Sequence, residues 1–468
     1  MRTSIFALSV VLSAPIAVQA AASTSAAKPN ILIILSDDLG YADVGFHGSK
    51  EVATPHLDAL AKSGVRCTSG YVSHAFCSPT RAALLTGRYQ QRFGHEYNPV
   101  YDPLDLTEGL PLTERLLPQF MKEAGYATGL VGKWHLGSSP GHCPWRRGFD
   151  ETFGFIGGGH RYIDWTPNER QYTLPITRNG QPVEVKKHLT AAFGNEASAF
   201  VRRHSGNPWL LYLAFNAPHG PHEPTAPREA RFAGIEPARR RKCLAQISLL
   251  DDAVGNVIRA LAESGQSERT LIFFLSDNGG PVLVAAKNDP LRGSKGSLYE
   301  GGVRVPFVVS WPGHLPAATT YDEPVSSLDI FATAVALAEV PVPAGKKYDG
   351  VNLIPYLTGQ SKKPPHDRLF WRTEGGQALA VREGRWKLLR QKDKPAELFD
   401  LASDISEGRD LAAREPEVAK RLSEAIDAWD KELVPPTFLG SSVKNEDWGP
   451  GGANQRTKPD AAKKPAAK

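Results

Sequence analysis

The sequence predicts an α/β fold: a large, mostly parallel central sheet flanked by helices, followed by a smaller C-terminal domain of antiparallel strands plus a helix. Three observations predict it. Short, unbroken apolar runs recur between Ile31 and Leu275, and each ends in a polar cluster. Helical segments with their own start and stop signals fill the spaces between them. Near Gly359 the pattern changes to short strands separated by turn residues. Continuous rather than alternating hydrophobicity marks strands buried on both faces, as in a parallel sheet covered by helices.

Taken in order, the chain opens with Arg2, an apolar stretch from Ile5 to Val18, and the small residues Ala20-Ala21-Ala22. That is the pattern of a secretory signal peptide over residues 1–22. The stretch is too short to span a bilayer, and no cysteine follows it closely enough to carry a lipid. The expected product is therefore exported, periplasmic or secreted, with no membrane anchor. The large domain is expected over residues 28–358. Ile31-Leu32-Ile33-Ile34-Leu35 runs into Ser36-Asp37-Asp38. Thr54-Pro55 opens a helix, with Thr54 as cap and Pro55 in the first turn, and Gly64 ends it. Ala127-Thr128-Gly129-Leu130-Val131 runs into Gly132-Lys133-Trp134-His135. Leu210 to Phe215 runs into Asn216-Ala217-Pro218-His219. A helix from about Arg241 to Glu263 carries Leu244, Ile247, Leu250, Val254 and Ile258 on one face. Leu271 to Leu275 runs into Ser276-Asp277-Asn278-Gly279. Ligand sites in open α/β sheets gather at the carboxyl ends of strands, and here those ends carry the candidate chemistry.

The C-terminal subdomain is expected over residues 359–440. Ala378–Arg382, Trp386–Arg390 and Glu397–Asp400 read as strands, followed by a helix from Glu415 to Leu433. The tail 441–468 is mostly Gly, Lys, Pro and Ala and cannot build a core.

The 468 residues carry a formal net charge of +5, a mild balance that does not suggest nucleic acid. The basic clusters Arg146-Arg147, Lys186-Lys187-His188 and Arg239-Arg240-Arg241-Lys242 read as solvated faces, some of which would suit an anionic substrate. Four cysteines are present. If Cys77 is consumed chemically, at most one disulfide can form among Cys67, Cys143 and Cys243. No spacing among the four matches a zinc site.

The most informative segment is Cys77-Ser78-Pro79-Thr80-Arg81-Ala82-Ala83-Leu84-Leu85-Thr86-Gly87-Arg88. Pro79 suits a first helical turn and Gly87 a helix stop. That places Cys77 just ahead of a helix N-terminus, where free N–H groups favour an anion, with Arg81 one turn on. A tyrosine-phosphatase loop is excluded, because five residues would have to separate its cysteine and arginine and here there are three. Asp37, Asp38, Asp277 and Asn278 offer three carboxylates and an amide oxygen. These are hard ligands suited to calcium or magnesium, although either pair alone also fits an Asx turn.

The Cys-x-Pro-x-Arg segment with its continuation to Thr-Gly-Arg resembles the type I, formylglycine-dependent sulfatases of the alkaline phosphatase superfamily, and the likeness extends from Asn30 to about Leu433. The overall pattern is similar to bacterial exported polysaccharide sulfatases. The resemblance implies that Cys77 is oxidised to formylglycine by a formylglycine-generating enzyme and that its diol is the nucleophile. It implies a divalent cation, usually calcium, held by Asp37, Asp38, Asp277 and Asn278 together with residue 77. Lys133 and Lys295 would hold the sulfate oxygens, and Arg81 would help hold the formylglycine. His219 would be the acid for the leaving alcohol, and His135 the base for the elimination step. The implied substrate is a sulfated carbohydrate, with galactose- or N-acetylgalactosamine-containing glycans favoured. Thr80 stands where many relatives carry serine.

The loop Gly157-Gly158-Gly159-His160-Arg161-Tyr162-Ile163-Asp164-Trp165 combines aromatic and basic groups, so His160 and Arg161 are candidate substrate contacts; a purely structural Gly-rich loop fits as well. Trp371-Arg372-Thr373 is a further candidate for the cleft wall. Two rival readings are a formylglycine-dependent phosphodiesterase or phosphonate monoester hydrolase, and an inactive homologue that binds sulfated glycan. The oligomeric state is not indicated.

Overall fold

The computed structural model describes residues 28–440 apart from residue 169, so the segments 1–22 and 441–468 singled out above lie outside the described residues. The strands, in chain order, are β1 Asn30–Asp37, β2 Val65–Cys67, β3 Gly70–Tyr71, β4 Ala127–Lys133, β5 Glu151–Phe155, β6 Thr177–Arg178, β7 Gln181–Pro182, β8 Trp209–Pro218, β9 Thr270–Ser276, β10 Phe307–Ser310, β11 Thr319–Tyr321, β12 Val325–Ser326, β13 Arg368–Thr373, β14 Ala378–Glu383, β15 Trp386–Gln391 and β16 Glu397–Asp400. Ten of them form one sheet in the order β11-β2-β10-β9-β1-β8-β4-β5-β6-β7. Its centre is parallel, with β1 between β8 and β9 and β4 beyond β8, while β10 and the β6–β7 edge run antiparallel.

The unbroken apolar runs follow from a two-faced core. In β1, Ile31, Ile33 and Leu35 enter one core, and Leu32 and Ile34 enter the other. The same alternation splits Leu210 and Tyr212 from Leu211 and Leu213, and Leu271 and Phe273 from Ile272 and Phe274. Side chains alternate across a strand, so a sheet covered on both sides needs apolar residues at every position. Helices Leu189–Arg203 and Ala238–Glu263 pack on one face, and helices Cys77–Thr86 and Leu328–Leu337 on the other.

The helix expected after Thr54 spans Pro55–Lys62, but Thr54 does not cap it. Its hydroxyl instead accepts from the Gly45 N–H at 2.8 Å and donates to Asp58 at 3.0 Å. The cap comes from Asp251, whose carboxylate accepts from the His56 and Leu57 N–H groups at 3.2 and 2.8 Å.

β13 to β16 form a four-stranded antiparallel sheet on which helix Pro416–Asp430 packs through Leu422 and Ile426. Its other face buries Leu369, Trp371, Leu389 and Phe399 against Tyr71, Leu298 and Val303 of the large lobe. The segment Trp371-Arg372-Thr373 is therefore the end of β13 rather than cleft wall. Trp371 is core, and Arg372 pairs with Glu96 at 2.5 Å and Asp430 at 2.8 Å. All four cysteines are buried and free. Among the described residues no helix is long and apolar enough to cross a membrane.

Candidate active site

Parallel strands end on the same edge of a sheet, so the polar clusters after β1, β4, β8 and β9 meet there. A register shift between Leu35 and Asp37 against β8 sets Asp37 opposite Pro218. Asp38 and His135 follow their strands with φ of 67° and 59°, a left-handed backbone that non-glycine residues adopt at a cost and that concentrates at functional sites. Gly132, with φ 115°, leads into Lys133; a Cβ there would sit 1.9 Å from the Ala214 carbonyl oxygen.

Opposite this edge stands helix Cys77–Thr86, buried over its whole length. Cys77 is its first residue, one position inside the expected boundary. Gly87 ends it in the left-handed region, where a side chain would collide with Phe331.

One ligand atom each from Asp37, Asp38, Cys77 and Asp277 lies within 4.8 Å of the others, and all four residues are buried. Each carboxylate has its own cation. Lys133 Nζ lies 2.6 Å from Asp37, Lys295 Nζ 2.7 Å from Asp38, and Arg81 Nη2 2.7 Å from Asp277. Three charges of each sign are thus buried together, which makes the burial tolerable. Lys295 also reaches Cys77 Sγ at 3.2 Å, and the thiol donates to Asp37 at 3.4 Å. His219 Nδ1 lies 2.6 Å from the Gly220 carbonyl oxygen, and its Nε2 is 3.6 Å from Asp38.

The charges shift one another. Burial and the Asp277 carboxylate push the Cys77 thiol up, against the pull of Lys133 and Lys295. Burial also works to raise Asp38, but Lys295 and His219 overcome it and hold the carboxyl well below the usual range. Asp277 is raised by burial and by Asp37 despite Arg81. Burial lowers His135 strongly, with Lys133 adding to the effect, and lowers His219 to about 4 against Asp38.

The donor set fits a hard divalent cation. Asn278 donates from Nδ2 to Asp38 at 2.7 Å and to the Gly279 carbonyl at 3.0 Å, and among the described residues its buried Oδ1 has no hydrogen-bond partner. An orphaned buried oxygen is costly unless something takes it, and calcium or magnesium accepts such oxygens. A second carboxylate group, His56, Asp251 and Asp252, lies at similar spacing. There Asp251 is spent capping a helix and Asp252 pairs with Arg228.

Above this cluster opens a cavity of about 520 Å³, whose lining includes Asp38, Cys77, His135, His219 and Lys295. Asp37, Arg81, Lys133, Asp277 and Asn278 lie fully buried behind it. His160 and Arg161 are not brought into the wall. Both ring nitrogens of His160 face backbone carbonyls, Arg161 O at 2.6 Å and Leu174 O at 2.8 Å, and Arg161 pairs with Glu223 at 2.7 Å. Their loop contributes Gly158 instead, and Tyr172, from the turn that follows it, joins the lining. Sequence reasoning missed Tyr97, Asn98, Tyr172 and Glu374, which carry no motif, while the basic run at 239–242 was the one available signal for Arg239 and Lys242.

A family model described as Sulfatase matches residues 29–340. The chain belongs to the sulfatase family. A second model, N-sulphoglucosamine sulphohydrolase, C-terminal, matches residues 294–432 of this sulfatase. It is 34% identical over 383 residues to N-acetylgalactosamine-6-sulfatase of Canis lupus familiaris, covering 77% of this chain and 71% of that one. To arylsulfatase A of Bos taurus it is 34% identical over 460 residues, covering 87% and 88%. The solved structure of Ps i-CgsB in complex with k-i-k-neocarrahexaose superposes with a TM-score of 0.85 at 36% identity, covering 89% of this chain and 96% of that one. The family is the formylglycine-dependent one, the fold is its α/β sheet with a C-terminal antiparallel sheet, and the protein is a sulfuric ester hydrolase.

Proposed function

We propose that this sulfatase removes sulfate from a sulfated carbohydrate, a galactose- or N-acetylgalactosamine-containing glycan, after export to the periplasm or medium. In this reading Cys77 is converted to formylglycine by a formylglycine-generating enzyme. The observation that carries the reading is the setting of Cys77: on the cavity floor, 3.2 Å from Lys295 Nζ and within 4.8 Å of three carboxylates. A thiol pushed up by burial is a poor nucleophile, so the position calls for other chemistry. The sugar preference is supported by relatives named for N-acetylgalactosamine 6-sulfate and by one solved with a neocarrahexaose.

Asp37, Asp38, Asp277 and Asn278 would hold calcium, with magnesium the other hard cation of suitable chemistry. A hydrated aldehyde at residue 77 would supply an attacking hydroxyl, and the cation, when bound, would supply charge stabilisation at the sulfuryl oxygens. The remaining work falls to side chains of this chain. Lys295 on the cavity side and Lys133 behind it supply positive charge where sulfate oxygens gather. Arg81, clamped on Asp277, keeps residue 77 and the carboxylates in register. His219 donates from Nδ1 to the Gly220 carbonyl and turns Nε2 to the cavity. To act as the acid it must first bind a second proton at Nε2, which the Asp38 carboxylate and the negative charge of a bound sulfate ester favour, and that proton then passes to the departing alcohol. His135, kept neutral by burial and Lys133, would take the proton of the second hydroxyl on residue 77 as the C–O bond to sulfate breaks and the aldehyde is restored.

The test uses protein co-expressed with a formylglycine-generating enzyme, a panel of sulfated oligosaccharides, and ion chromatography of released sulfate. Release from galactose or N-acetylgalactosamine sulfates, with an aldehyde at residue 77 by peptide mass spectrometry, is the expected result. Release only from other sugars overturns the substrate, and an active enzyme with a plain thiol overturns the nucleophile.

A further inference from the structure

The run Arg239-Arg240-Arg241-Lys242 lies in the first turns of helix Ala238–Glu263, so its side chains fan around the helix axis. The middle two are bound to carboxylates. Arg240 meets Asp43 at 2.7 Å and Glu51 at 2.8 Å, and Arg241 meets Glu229 at 3.1 Å and Glu236 at 3.0 Å. The outer two differ. Arg239 and Lys242 are three positions apart, hence neighbours on one helix face, and both line the active-site cavity. Among the described residues neither has a carboxylate within ion-pair distance; Arg239 makes only a 3.4 Å bond to the Leu283 carbonyl. Both are exposed, so their charges do nothing visible for folding.

The cavity is also polarised. Its floor holds Cys77 and Lys295, Arg239 and Lys242 belong to its lining, and the acidic Glu374 lines it as well. Pro281 and Val284 lie in the same lining and offer apolar surface to the C–H face of a sugar ring. A ligand seated at the floor and extending outward would be drawn toward the two cations wherever it bears negative charge, and repelled from Glu374.

We propose that Arg239 and Lys242 form a second anion subsite, which binds an anionic substituent, sulfate ester or carboxylate, on the sugar next to the one that loses sulfate. The substrate is then a polyanionic glycan rather than one with a single charged group. The proposal rests on the sulfatase reading of the Cys77 site.

Three oligosaccharides of equal length test it: one with a single sulfate at the scissile position, one with a second sulfate on the adjacent sugar, and one with a uronate carboxylate there. For mature wild-type enzyme at low salt, kcat/KM is expected to favour one of the dianionic substrates by about five- to tenfold, and the preference should shrink as salt rises. The arm that shows it identifies the substituent. In R239Q/K242Q the ratio is expected to fall toward one, while R241Q, which removes a charge from the same turn but outside the cavity, keeps it. Wild-type enzyme with no preference for either dianionic substrate, or a double variant that retains the preference, overturns the subsite. Failure on all three substrates of wild-type enzyme shown by mass spectrometry to carry the aldehyde at residue 77 overturns the proposed glycan substrate, and the subsite with it.

Discussion

Replacing Lys387 by methionine tests how the small sheet supports the active-site loop. Lys387, on β15, is fully buried, with Nζ 2.8 Å from Glu300 and 2.9 Å from Glu407, both of them also buried. Glu300 ends the segment that begins at Lys295 and is held further by Tyr71 at 2.6 Å and Arg304 at 3.2 Å. Glu407 in turn accepts from the Glu300 N–H at 2.7 Å. Breaking a buried pair by removing one partner costs about 3–5 kcal/mol. Methionine restores most of the volume, and Arg304 still faces Glu300, so the lower end, about 3 kcal/mol, is expected at neutral pH. The loss depends on pH. Burial pushes Glu407 up to about 7, with Lys387 opposing and Glu300 adding to the rise. For a carboxyl raised on folding, the stabilising contribution is complete below its unfolded value and is lost as pH rises toward 7. Glu300 is lowered, because Lys387 and the nearby arginines outweigh burial, to about 2, so in the wild type it stays silent between pH 5 and 8. Without Lys387, Glu407 rises further, and the variant should lose least near pH 5 and most near pH 8. Urea midpoints followed by tryptophan fluorescence would report this, because the Trp371 ring centre lies 5.9 Å from Lys387 Nζ. A wild-type midpoint at pH 8, or a larger loss at pH 5 than at pH 8, would refute the reasoning.

Cys77→Ala should abolish sulfate release, by at least about a thousandfold, with an unchanged circular dichroism spectrum; measurable turnover would show that residue 77 is not the nucleophile. Asp277→Ala should lower metal content, read by mass spectrometry of the purified protein, together with the rate. It should also destabilise the fold by about 3 kcal/mol, because Arg81 loses its 2.7 Å partner in a buried setting. Full metal content in the variant would count against that ligand set. His219→Ala should cost about a hundredfold or more on sugar sulfates and much less on aryl sulfates, whose leaving group needs no proton; equal losses on the two would remove His219 from the acid's role.

What was legible in the sequence was whatever depends on local pattern. A strand buried on both faces announces itself as an unbroken apolar run, so β1, β4, β8 and β9 could be found, and the parallel arrangement then dictates that their polar ends meet. The Cys77 helix was legible because Pro79 and Gly87 act on the backbone within a single turn. What stayed hidden depends on partners far away in the chain. Thr54 has the right chemistry for a cap, yet Asp251, nearly two hundred residues on, takes that role. His160 and Arg161 have the right chemistry for a sulfated sugar, yet the loop spends them on the Leu174 carbonyl and on Glu223. Nothing within the basic run sets Arg239 and Lys242 apart from Arg240 and Arg241, and only the positions of Asp43, Glu51, Glu229 and Glu236 decide which charges are neutralised. A residue's type states what it can bind, whereas its availability is set by contacts between segments that sequence spacing does not encode. The carboxylates of the Cys77 cluster could be read as pairs closing buried strands, whereas Lys133 and Lys295 were singled out only by the family resemblance. The structure unites them because a charge buried on the floor of an α/β sheet needs an opposite charge beside it. Three strand ends, one helix and one loop could meet there only as a balanced set.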